Sequence, residues 1–179
     1  MSILELLGFR RGGPRAGGGD TETVRKIVRE LETLEPETAR YLAAFAFILA
    51  RVAHADLEIT EEETRRMEQI LLGLGHLSAE QARLAVSLAK AQHHVEGGTE
   101  SFLVTREFRE IATKEQCREL LDCLFAVSAA DDSISGAEEG QIRQIASELG
   151  FEAHELATIR AAWADKRAIL KGLREPRGL

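Results

Sequence analysis

Two short acidic stretches hold the residues best suited to chemistry. One reads ADLEITEEE from Ala55 to Glu63, and the other reads ADDSISGAEE from Ala130 to Glu139. Their shared letters reduce to A-D-x-x-I-[ST]-x-x-E. Clustered carboxylates are what hard cations such as Ca²⁺ and Mg²⁺ require, because those ions prefer oxygen ligands. The candidate ligands are Asp56, Glu63, Asp131 and Glu138, with Glu58, Glu62, Asp132 and Glu139 as secondary donors. Neither stretch is a standard EF-hand. Counted from Asp131, the sixth position is the required glycine (Gly136), but the twelfth is Ile142, which cannot ligate. Counted from Asp56, Glu61 stands at the glycine position and Met67 at the twelfth.

The same letters also have a purely structural use. Thr60-x-x-Glu63 and Ser135-x-x-Glu138 are capping-box sequences. In such a box the hydroxyl accepts a bond from a first-turn backbone N–H, and the glutamate reaches back to the capping residue's own N–H. Ile59 and Ile134 precede the caps as hydrophobic staples. The signature recurs at Ser78-x-x-Gln81 and Thr113-x-x-Gln116, where nothing suggests chemistry. Capping accounts for Glu63 and Glu138. It leaves Asp56 and Asp131 unexplained, since an acid after a helix C-terminus faces the negative end of the dipole. Those aspartates either shape a turn or hold a cation.

The elements that position these residues are helices. A constant spacing of 75 residues pairs Leu49 with Leu124, Val52 with Val127, Asp56 with Asp131 and Ile59 with Ile134. The same spacing pairs Glu63 with Glu138, Gln69 with Gln144 and Gly75 with Gly150. This matching implies two copies of one helix–turn–helix unit, related by a pseudo-two-fold axis. Two copies are too few for an open solenoid, so a closed bundle is expected. Apolar periodicity marks helices after Asp20, from Pro36 to about Ala55, after Thr60, after Ser78, and around ESFLVTREFREI. Three more follow after Thr113, Ser135 and Phe151. YLAAFAFILARVA is apolar nearly all round and should be the buried centre. Gly75 is expected to take the left-handed conformation that ends a helix.

Composition agrees with that reading. Aromatic residues are 5% of the chain, with one Trp and one Tyr, which disfavours a β-sandwich. The three prolines, Pro14, Pro36 and Pro176, leave the span between 37 and 175 free of helix breakers. The fold class is therefore all-α, an internally duplicated bundle of about seven to eight helices. Residues 1–19 form a tail with a short apolar segment. Residues 20–175 form one helical domain, with repeats around 36–91 and 113–170.

A net charge of −7 and a pI near 5.4 exclude a nucleic-acid backbone as the main partner. Cys117 and Cys123 form no CxxC and are expected as reduced, buried thiols of a cytosolic protein. No apolar run reaches the roughly 18 residues of a membrane span, and no signal-peptide pattern opens the chain. Ile3, Leu4, Leu6, Leu7 and Phe9, followed by Arg10, Arg11 and Arg15, could associate weakly with a membrane surface through residues 3–15. His54, His76, His93, His94 and His154 lack zinc spacing. HExxH, P-loop, GxSxG and Glu-x-x-His patterns are absent. His93 and His94 read as compensation for a helix dipole.

Two A-D-x-x-I-x-x-x-E units, the first after an alanine-rich apolar helix, resemble the tellurite-resistance TerB family and the related domain of DjlA-type co-chaperones. The likeness spans roughly residues 36 to 165. Leu57 and Asp132 stand where the family often has glycine. The resemblance implies an all-helical duplicated fold and an acidic surface that binds divalent cations through Asp56, Glu63, Asp131 and Glu138. It also implies cytoplasmic stress or tellurite-resistance roles, in some members near the inner membrane. It does not imply an established enzymatic activity; a non-enzymatic protein with protein partners and no organic cofactor is expected. The residues leave two readings open: a module that binds Ca²⁺ or Mg²⁺, and a metal-free interaction scaffold whose acids only cap helices.

Overall fold

A computed structural model describes residues 18–53, 59–91, 99–129 and 134–174. These residues form eight α-helices and, among them, no strand. In chain order they are α1 (Gly18–Glu32), α2 (Pro36–Ala53), α3 (Glu61–Leu74) and α4 (Ala79–Ala91). The others are α5 (Thr99–Ile111), α6 (Lys114–Ser128), α7 (Gly136–Glu148) and α8 (Ala153–Arg174). The all-α bundle expected from the periodicity is thus observed. α1 starts within the glycine run assigned above to the tail.

α2 is the centre. It starts on Pro36, whose fixed φ suits a first helical position, and Glu37 complements the dipole there. Every residue from Leu42 to Ala50 is buried, as are Ala39 and Val52. A helix apolar on all sides needs neighbours on all sides, and α1, α4, α5, α6 and α7 all pack against it. The alanines at 39, 43, 44, 46 and 50 let those neighbours approach closely. α3 packs on α4 and α6, and α8 packs on α6 and α7.

Aromatic packing joins α2 to α5. Tyr41 and Phe108 have ring centroids 5.1 Å apart, and Phe45 meets Phe108 edge-on at 6.2 Å. Phe45 and Phe108 are fully buried, and burial of such a side chain stabilises by about 1.5–3 kcal/mol.

The expected glycine cap at Gly75 is corrected. Gly75 keeps right-handed helical geometry (φ −85°), and its N–H bonds to Leu71 O. His76 takes the left-handed conformation instead, with φ 50°. The reason is packing. A Cβ on Gly75 would lie 2.8 Å from Leu71 O and 3.4 Å from Cys123 Sγ, so the missing side chain admits α6. His76 Nδ1 meets Glu119 Oε1 of α6 at 2.9 Å, which holds the unusual backbone in place. The partner position behaves differently. Gly150 has φ 85° and ends α7 in a Schellman motif, with Gly150 N–H bonding to Ser147 O at 3.0 Å and Phe151 N–H to Ala146 O at 2.9 Å.

Candidate functional site

The starts of α3 and α7 are built alike, and both carry the capping box expected from their sequences. Thr60 and Ser135 are extended, with ψ of 165° and 157°. Glu63 N–H donates to Thr60 Oγ1 at 3.2 Å, and Thr60 N–H donates to Glu63 Oε2 at 2.6 Å. Glu138 N–H donates to Ser135 Oγ at 3.2 Å, and Ser135 N–H donates to Glu138 Oε2 at 2.7 Å. Ile59 and Ile134 lean on the core beneath, half-buried. The backbone N–H of Thr60, aided by its hydroxyl, holds the Glu63 carboxyl below its ordinary pKa. The boxes at Ser78/Gln81 and Thr113/Gln116 form as well, with the glutamine oxygen accepting at 3.1 and 2.8 Å.

The capping bond occupies one carboxylate oxygen of Glu63 and one of Glu138. The neighbouring acids are engaged with cations. Glu62 pairs with Arg66 at 3.0 Å, and Glu61 lies 3.6 Å from Lys90 of α4. Glu139 accepts from Arg160 of α8 at 2.8 Å and lies 3.7 Å from Arg143. Asp56, Glu58, Asp131 and Asp132 lie outside the described residues, as do His54, His93 and His94. Among the described residues, no three His, Cys, Asp or Glu side chains converge as a metal site would require.

The cysteines are free and buried, as expected. Burial pushes the Cys123 thiol up to about 12, with the charges of Asp122 and Glu119 adding to it, and burial also raises Cys117. Both shifts favour the protonated thiol over the thiolate. Among the described residues no helix is long and apolar enough to cross a membrane.

One polar cluster lies outside the sequence motifs. Arg51, in the last turn of α2, donates through Nη1 to Glu148 Oε2 of α7 at 2.8 Å and to Thr105 Oγ1 of α5 at 2.8 Å. Both charged side chains are only 8% exposed. Gln144 Nε2 adds a bond to Glu148 Oε1 at 3.0 Å. Burial would raise the Glu148 pKa, but the hydrogen bond and charge of Arg51 outweigh it and the net shift is downward. A signal was present in the sequence. Arg51 interrupts a helix apolar on all sides, and a buried charge needs a partner.

The paired capped turns and the helical bundle can be set against known proteins. No curated protein and no solved structure matches the chain. A family model described as "Tellurite resistance protein TerB" matches residues 41–161. That span runs from within α2 into α8, includes both acidic turns, and covers more than half of the chain. The chain therefore belongs to the TerB family.

Proposed function

We propose that this protein is a non-enzymatic TerB module that binds Ca²⁺ or Mg²⁺ at its two acidic turns and reports that state to a protein partner. In this reading Asp56 and Glu63 hold the cation at the first turn, and Asp131 and Glu138 at the second. The bound ion supplies charge neutralisation after the C-terminal ends of α2 and α6, where acids are otherwise unfavourable. The supporting observation is the pair of capping boxes. They fix Glu63 and Glu138 at the same place in the first turns of α3 and α7 while using one oxygen of each. A cytoplasmic role in stress or tellurite resistance, in places at the inner membrane surface, follows from the family and belongs to the same proposal.

The metal-free scaffold is the second reading. It is favoured by the engagement of Glu61, Glu62 and Glu139 with Lys90, Arg66 and Arg160. One experiment separates the two. Glutamine already caps α6 through Gln116, so replacing Glu63 and Glu138 together with Gln should preserve both caps and remove two ligand charges. Calorimetric titration of the full chain with Ca²⁺ and with Mg²⁺ should show binding in the parent. Binding should be lost in the double variant and in Asp56→Asn/Asp131→Asn. The thermal midpoint of the Gln variant in chelator should stay close to the parent's, lowered only by the loss of the charge-assisted bond that the ionised Glu63 makes to Thr60. No heat from the parent at millimolar cation leaves the scaffold reading standing.

A further inference from the structure

α5 is held to the rest of the bundle mainly by apolar contacts. Phe108 meets the rings of Tyr41 and Phe45, and Val104 is buried beside it in sequence. Such contacts are non-directional, and cores held by them alone lose a unique arrangement before they lose stability. Among the described residues, two polar ties from α5 to α2 bear on where it sits. Arg40 pairs with Glu107 at the rim, where solvent weakens it. The other tie is internal. The Arg51 guanidinium of α2 reaches Thr105 of α5 and Glu148 of α7 at once, and Thr105 is fully buried. Arg51 has only donors, so the Thr105 hydroxyl accepts from it, and the hydroxyl's own hydrogen faces both Ser101 O at 3.0 Å and the Glu148 carboxylate. A shift of α5 by one residue would remove that acceptor and leave part of a buried charge unsatisfied.

Removing two charges from water costs roughly what their attraction returns, so such a pair adds little net stability. Its best-attested use is to set register. The 75-residue counterparts of Arg51 and Glu148 are Ala126 and Gly73, so the device exists once in the chain. We propose that the Arg51–Thr105–Glu148 cluster is a register lock. It fixes where α5 sits along α2 and α7 and contributes a unique arrangement rather than net stability. This inference is independent of cation binding.

The test uses the full chain with Arg51→Met, Glu148→Leu and both together. Each single variant strands a buried charge and should melt well below the parent. The double variant should recover to within about 3 °C of the parent while α5 loosens. Amide exchange at Val104, Thr105 and Phe108, referenced to Leu120, Leu121 and Leu124 of α6, should then be at least about tenfold faster than in the parent. Arg51→Lys keeps the charge but loses the planar fork, so α5 exchange should also quicken there. The proposal is overturned if α5 protection in the double variant equals the parent's. It is equally overturned if the double variant stays as unstable as the singles or fails to fold, or if lysine protects α5 as well as arginine does.

Discussion

Replacing glycine by alanine should give opposite signs at two positions ten residues apart. Gly140 lies inside α7, and a Cβ there would meet nothing within 4 Å. Alanine at that site removes the backbone entropy penalty of glycine and should stabilise by about 0.5–1 kcal/mol. Gly150 has φ 85°, where an L side chain meets its own carbonyl, at a cost of roughly 1–2 kcal/mol. The added Cβ would also lie 2.7 Å from Arg109 Cζ. That atom is the far end of a flexible, exposed side chain, so it can move aside cheaply. The backbone conformation therefore carries most of the cost. For a chain of this length, about 1 kcal/mol moves the melting midpoint by roughly 2–4 °C. Thermal melts followed by circular dichroism should rise by about 1–4 °C for Gly140→Ala and fall by roughly 2–8 °C for Gly150→Ala. The decisive control is Gly150→Ala combined with Arg109→Ala. If the second substitution restores the midpoint, the cost was steric crowding and the reasoning from φ is refuted.

Three further outcomes follow from the same geometry. Thr60→Ala and Ser135→Ala each remove a cap acceptor and should each cost about 1 kcal/mol in urea unfolding, additively because the two boxes sit on different helices. Glu63 and Glu148 both have lowered pKa values in the fold, so the fold favours their ionised over their protonated forms; that preference is in full effect above 4.5 and is lost as pH falls through their lower folded values. Urea midpoints should accordingly drop on acidification below 4.5, and by less in Glu63→Gln. Deleting residues 1–17 should leave the melting midpoint unchanged and reduce sedimentation with anionic vesicles; equal sedimentation of both forms would remove the membrane role from residues 3–15.

Much of this molecule is written locally. Apolar residues at helical spacing, four cap signatures and the absence of proline between 37 and 175 determine eight helices and most of their first residues. They do so because a helix start needs only its own first-turn side chains to satisfy orphan N–H groups. The cap role of Glu63 and Glu138 was legible for the same reason. Burial of α2 was legible too, because a helix without a polar face has nowhere else to go.

Tertiary structure decided what depends on neighbours distant in sequence. Gly75 and Gly150 are the same letter at the end of the same pattern, yet only Gly150 is left-handed. Cys123 and Glu119 of α6 set the first ending, through a close approach to Gly75 and a 2.9 Å contact with His76. Arg51 announced that it needed a partner, but nothing local could name Glu148 and Thr105. They lie 97 and 54 residues away along the chain and meet Arg51 only once three helices have packed.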